Sequence, residues 1–340
     1  MDLPASWRSA LAQGKITLPD SDYLYPAAVA AIGGRVFGAL YSDAWSGVVA
    51  VDHQGAVTRV RAFDNPQEDQ IQAAFDGRWL VWEESHSLTN WSDWDIRAWD
   101  STSGEVFDIA SAPRVGGVPV AGPFVIPVVS QGKAAWVQAN ASGRGEIHLY
   151  NLVTRQDRLL STGTAVPPIL FWGTKLVWAE KDLPGGGGHL AMADAATGEP
   201  LIVPEPLASL RSIATLAASE DLVAWSEDYF HLSVWRVGEA APKGIFAAGR
   251  EDGVDWLTIA GDIVAWRGLH APMAADLRTG SVAPLTDGNG FLYTSGRALV
   301  LVKPLGPIVK EGDEHHRSLT HFETDVIDTT KLPPLPGCPS

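Results

Sequence analysis

Apolar residues gather in short runs along the chain, and the runs repeat. Gly-Arg-Trp-Leu-Val-Trp-Glu-Glu at 77–84 returns as Gly-Thr-Lys-Leu-Val-Trp-Ala-Glu at 173–180 and as Glu-Asp-Leu-Val-Ala-Trp-Ser-Glu at 220–227. Shorter relatives stand at 132–138 and 261–267. Each run is followed, after an insert of variable length, by a second apolar strand and a polar turn. The turns are Asp100–Gly104, Asp194–Gly198 and Asp276–Gly280, with Asn151–Arg155 as a looser copy. Val, Ile, Leu, Phe and Trp fill the runs, while Gly, Asp, Asn and Ser sit between them, which predicts strands rather than helices. Many runs are apolar throughout instead of alternating, so these strands are expected to be buried on both faces.

Short strands recurring about every 40 to 50 residues predict a β-propeller. The expected blade has four strands, A to D from the axis outwards. In the second blade they are A near 71–75, B at 79–84, C at 94–100 and D at 105–110. The C-to-D turn is marked at Gly55, Gly104, Arg155, Gly198, Gly238 and Gly280, and a seventh marker falls at 328–331. Glycine suits this place because a tight hairpin often needs a positive φ. Seven markers predict an all-β, seven-bladed propeller; six blades is the alternative if the last region is degenerate. The whole chain, 1–340, is expected to be one domain, with a closing strand and lead-in over 1–23, blades over 24–331 and a Pro-rich tail over 332–340. Prolines at 333, 334 and 336 cannot donate to a ladder, so the last blade is expected to lack its own outer strand. The short strand within 14–19 is expected to supply it and close the ring, and deleting residues 1–20 is expected to lower the melting temperature by many degrees.

Composition narrows the partners. The net charge is −15, and the 25 Lys and Arg residues are scattered singly, which argues against nucleic acid or an anionic membrane surface. No apolar run is long enough to span a bilayer, so membrane insertion is not expected. No signal peptide is visible at the N-terminus, which reads as cytoplasmic unless a leader has been removed. The lone cysteine, Cys338, excludes an intramolecular disulfide and a thiolate zinc cluster. Fourteen tryptophans exceed ordinary usage, and most are expected to fill the space between twisted sheets.

The Asp-x-x-Thr-Gly turn together with the Val-Trp-x-Glu strand end resembles the TolB-like propeller repeats of bacterial proteins, over about residues 24–331. The resemblance implies the fold. For function it implies a broad group that includes protein-interaction modules and propeller domains attached to peptidases. No Gly-x-Ser-x-Gly nucleophile elbow occurs in the chain, and Trp99-Asp100 stands alone without the rest of a WD-repeat signature.

Candidate chemistry collects on the B-to-C inserts, 84–95, 180–189, 226–231, 267–270 and 303–317. Six of the nine histidines (His86, His189, His231, His270, His315 and His316) fall there. Long aromatic and titratable loops at the mouth of a rigid ring suit a ligand site. Trp91, Trp94, Tyr229, His189, His270, Glu84, Glu180 and Glu227 are the expected ligand-binding residues. The two glutamates 84 and 180, with Glu227, recur two residues after a strand tryptophan, and Gln138 occupies the matching place in a fourth blade. Recurrence in every blade favours a structural role, so the residues that break the repeat, His86, Asp93, Asp228 and His231, are the better catalytic candidates. His315 and His316, beside Asp313 and Glu314, are the weak metal candidates; no defined ligand spacing is present, and no cofactor is expected. The leading expectation is a non-catalytic monomer that binds a small apolar or sugar-like molecule, or a protein, through this loop face. The alternative is a hydrolase, lyase or cyclase at the same mouth.

Overall fold

The computed structural model describes residues 3–19, 21–31, 33–65, 70–86, 91–163, 165–181, 188–247, 253–305, 308–311, 314–317 and 322–337; residues 70, 247, 308–311 and 314–317 are described by backbone alone. Seven four-stranded antiparallel sheets make a seven-bladed β-propeller. The second blade runs Gln70–Phe75, Trp79–Ser85, Trp94–Asp100 and Val106–Ser111, within a residue of the expected bounds at nearly every end.

The C-to-D turns explain their own sequence. Asp52, Asp100, Asn151, Asp194 and Asp276 each accept the backbone N–H two residues on through the side-chain Oδ1, at 2.9–3.0 Å. The turn is thus held by an acidic or amide side chain that mimics a backbone acceptor. Gly104, Gly198 and Gly280 then take φ of +77°, +69° and +70°. Arg155 occupies the same place at +56° without being glycine, and its N–H still reaches Asn151 O at 2.7 Å. The marker at 328–331 does not lead into an outer strand. Asp328 caps Thr330 N there, and the chain makes a 3₁₀ turn over Thr329–Lys331. The outer strand of the last blade comes from the other terminus, where Lys15 and Ile16 pair antiparallel with Asp325 and Thr324.

Packing groups the chain into two compact units, Met1–Arg59 with Ala214–Ser340, and Val60–Ile213. In the second unit the B strand of blade 3, Lys133–Ala139, shows why the runs are apolar throughout. Ala134 and Trp136 pack with Trp79, Val81 and Ile96 of blade 2, while Ala135 and Val137 pack with Leu176 and Trp178 of blade 4. Alternate residues point to opposite faces, and both faces meet a neighbouring sheet.

The first unit holds blades 5, 6 and 7, the strands of blade 1 up to residue 59, and a feature without a strand pattern. Residues Ala5–Gln13 form an α-helix whose Trp7 and Leu11, one turn apart, are 1% and 4% exposed. They pack with Leu332 and Leu335 of the Pro-rich tail and with Ala274, Ala283 and Leu285 of blade 6. The Trp7 indole donates to Pro333 O at 2.8 Å, and Leu335 N donates to Asp276 Oδ2 at 2.8 Å. Burial works to raise the Asp276 carboxyl, but Arg278 and backbone donors outweigh it and hold the group below the ordinary range.

Candidate ligand-binding surface

In an antiparallel A-B-C-D sheet, the end of B, the start of C and the start of A lie at one end. The expected site residues sit at that end, and within each unit the geometry sorts them. In blade 2, Glu84 is fully buried, and its Oε2 accepts from Trp82 Nε1 at 3.2 Å. Arg61 Nε and Arg97 Nε flank the same oxygen at 3.4 and 3.3 Å. Glu180 accepts from Trp178 Nε1 at 2.9 Å, and Gln138 from Trp136 Nε1 at 2.8 Å. The recurrence therefore has a physical cause: the residue two along a strand lies on the same face, and a buried indole N–H needs an acceptor. Blade 6 tests the rule by exception. Gly268 stands two residues after Trp266, and Trp266 Nε1 is buried without a partner. In blade 5 the strand ends at Ser226, and Glu227 is exposed.

His86 Nε2 lies 3.0 Å from Asp95 Oδ2, and Arg97 Nη2 donates to the same oxygen at 3.0 Å. The His86 contact, with Arg97 adding to it, holds the Asp95 carboxyl at about 2. On the opposite strand face Glu83 is 1% exposed, and burial pushes its carboxyl well above the ordinary range against the pull of His86. Asp93 pairs with Arg114 at 2.5 Å, and its carbonyl accepts His86 N–H. Trp91 is 42% exposed and meets Phe124 edge-on at 5.2 Å. Trp94, at 3%, belongs to the core between blades 2 and 3. His189 Nε2 lies 3.5 Å from Glu180 Oε2. The metal candidates His315 and His316 lie on a two-stranded hairpin, Ile308–Glu311 with Glu314–Arg317, but their side chains fall outside the described residues, as do Cys338 and residues 182–187.

In the first unit Asp228 Oδ1 accepts the N–H groups of Phe230 and His231, each at 2.9 Å, and Oδ2 meets His231 Nδ1 at 2.6 Å. The Phe230 amide first, then His231, keep the Asp228 carboxyl at about 2. Such a carboxylate is a weak base; its work is to fix the turn and orient His231. Between them Tyr229 projects, 48% exposed, at φ +65°. His270 is exposed on the neighbouring blade.

Beside this turn lies a surface that the sequence reading missed. Tyr229 O accepts Val254 N–H at 2.5 Å, which places the turn against the start of blade 6. There Trp256 holds φ +49°, left-handed backbone that a bulky residue adopts only under constraint, at an irregularity in the pairing between Asp255 and Thr258. Arg267 ion-pairs with Asp255 across the strands, and its guanidinium carbon lies 5.9 Å from both the Trp256 and Phe291 ring centres. Phe291 meets Tyr25 at 5.9 Å and Phe322 at 6.5 Å. Tyr25 meets Phe322 edge-on at 5.2 Å, Phe322 lies 6.3 Å from Tyr23, and Tyr23 stacks on Tyr41 at 4.8 Å. The result is a continuous tract of half-buried rings from blade 6 through blade 7 to blade 1, with one ion pair set into it. Beneath it Tyr293 is 9% exposed, and burial raises its hydroxyl well above the ordinary range. The positions come from strands far apart in sequence, so no local motif announces them. Tyr23-Leu-Tyr25, with aromatic residues on alternate positions of an innermost strand, is the one local sign.

The chain matches no protein-family model and no curated protein by sequence. It is similar in fold to many solved structures. A prolyl endopeptidase aligns with a TM-score of 0.58 at 13% identity, over 98% of this chain and 50% of that one. A puromycin-hydrolyzing peptidase of Mycobacterium tuberculosis gives 0.52 at 15%, over 95% and 57%. The β-propeller domain of the Trilobed protease from Pyrococcus furiosus gives 0.55 at 11%, over 90% and 96%. The chain thus spans about half the length of the two peptidases and nearly all of the isolated propeller domain. At these identities the likeness is one of fold, a β-propeller, as the TolB-like repeat implied; the seven blades are those of this chain's own sheets.

Proposed function

We propose that this propeller is a binding protein. Its ligand is a small molecule that combines flat apolar faces with hydroxyl groups, a saccharide or a similarly decorated ring compound. The observation that supports this reading is the aromatic tract of blades 6, 7 and 1. Half-buried rings offer apolar faces to stack on, and the Arg267–Asp255 pair offers a donor and an acceptor side by side. A purely apolar ligand would leave that pair unserved, and burying it without partners would cost affinity. The strained backbone at Trp256, beside Tyr229, is support of a second kind, because strain of this sort concentrates at ligand clamps. The test is intrinsic tryptophan fluorescence titrated with a panel of oligosaccharides and aromatic glycosides, in the native chain and in Trp256→Ala and Arg267→Ala. Saturable quenching that weakens at least about tenfold in both variants supports the reading, a loss on the scale of one good stacking or charged contact. Equal titrations in all three proteins refute it.

A second reading rests on the His231–Asp228 pair, whose geometry is that of a base held by its orienting carboxylate. An enzyme at this end, a hydrolase, lyase or cyclase, would lose turnover in His231→Ala while keeping its affinity for substrate.

A further inference from the structure

A groove lies within the other unit, at the end of the sheets that carries the C-to-D turns. A space of about 500 Å³ is bordered there by Lys133, Asn151, Asp157 and Arg158 of blade 3 and by Ala195 and Ala196 of blade 4. That volume is of the size that holds a small molecule. We propose that it binds a small polyvalent anion, one carrying phosphoryl or several carboxylate groups.

The chain carries 40 acidic against 25 basic residues, yet this groove is bordered by two cations, Lys133 and Arg158, and one carboxylate, Asp157. Asp157 Oδ2 is engaged by His148 Nδ1 at 2.7 Å. Asp194, at the foot of the blade 4 turn, spends Oδ1 on the N–H groups of Ala196 and Thr197 at 2.9 and 2.8 Å. Glu199 stands 3.9 Å from Arg158, with its side chain 73% exposed at the rim. Lys133 is half-buried, and among the described residues no carboxylate lies within ion-pair distance of it. A cation with no carboxylate partner is available to an anionic ligand.

The donors are also held in place. Arg158 donates through Nη1 to Thr197 O, which fixes the guanidinium plane across the cavity edge. Gly198 makes room for it: a Cβ there would stand 2.6 Å from the guanidinium carbon. Asn151 uses its Oδ1 as acceptor for Val153 and Thr154 N–H at 3.0 and 3.1 Å, so its amide NH₂ is the group left to donate. Lysine, arginine and asparagine bordering one space supply the kinds of donor that oxyanions take.

The experiment uses the full chain. Thermal melts and calorimetric titrations are run with inorganic phosphate and with citrate, each against sodium chloride at equal ionic strength. The proposal expects at least one of the two anions to raise the melting temperature beyond the chloride control and to bind with one-to-one stoichiometry. Phosphate alone assigns a phosphoryl ligand, and citrate alone a polycarboxylate. Lys133→Gln and Arg158→Ala are each expected to weaken binding at least tenfold. Lys243→Ala, an exposed lysine of blade 5, is expected to bind as the native chain does. Chloride melts of each variant separate loss of the fold from loss of the site. Equal stabilisation by chloride, or undiminished binding by the Lys133→Gln/Arg158→Ala double variant, overturns the proposal.

Discussion

Replacing Trp7 by alanine tests the least expected part of the fold. The side chain is 1% exposed, wedged between Leu11 of its own helix, Leu332 and Leu335 of the tail, and blade 6. Truncating a buried tryptophan to alanine costs about 3–5 kcal/mol, from lost transfer energy and the cavity left behind. Pro333 O also loses the 2.8 Å indole donor, which adds about 1 kcal/mol if no water replaces it. An unfolding entropy of about 2.1 cal/mol/K per residue gives about 0.7 kcal/mol/K over this chain, so the expected fall in melting temperature is about 4–8 °C. The measurement is differential scanning calorimetry of the native chain, Trp7→Ala and Leu269→Ala. Leu269 is 60% exposed, so its truncation is expected to shift the transition by less than about 1 °C. The mechanism predicts more than a number: the strand Lys15–Ile16, two residues after the helix, is held to the last blade by a short ladder and the Lys15–Glu323 pair. Loosening the helix is therefore expected to increase amide exchange at Ile16 and Thr324 before it does so in blade 3. A shift under about 1 °C in Trp7→Ala, or no local change in exchange, would refute the view that helix and tail clasp the last two blades.

Three further outcomes follow from the same geometry. Glu180→Ala leaves the Trp178 N–H without its 2.9 Å acceptor and is expected to cost about 1–3 kcal/mol, whereas Trp266→Phe removes an N–H that already lacks a partner and is expected to cost less than Trp178→Phe; urea denaturation compares them. The Asp95 carboxyl lies at about 2 in the fold against an ordinary 3.8, so its contribution is complete above about pH 4 and is lost as pH falls toward 2; Asp95→Asn is expected to flatten stability across that window, read by denaturant titrations at stepped pH. Trp256→Ala is expected to weaken saccharide-induced quenching at least about tenfold while shifting the melting transition little, since its ring is only half-buried.

The repeating part of this protein is written locally. The B strand of blade 3 meets a sheet on both faces, so its run is largely apolar, and five of the C-to-D turns rest on an Asx acceptor. Those requirements recur at fixed spacing and can be read from Asp194–Gly198 or Asp276–Gly280 alone. The Val-Trp-x-Glu strand end is legible for the same reason, because donor and acceptor lie two residues apart on one strand. The unpaired outer position of the last blade was also visible, from the prolines after residue 331 and the short strand near residue 15. Tertiary structure decided the rest. The helix over Ala5–Gln13 buries only two large residues, a periodicity too brief to stand out, and its partners are tail residues more than three hundred positions away. Arg61, Glu84 and Arg97 form a charge cluster only because the outer strand of blade 1 comes beside two paired strands of blade 2. Tyr25, Trp256, Phe291 and Phe322 become one surface through the packing of three blades. Hydrogen bonds within a turn or a strand leave their mark on neighbouring letters, whereas contacts across sheets are fixed by burial, which any apolar residue of the right size satisfies.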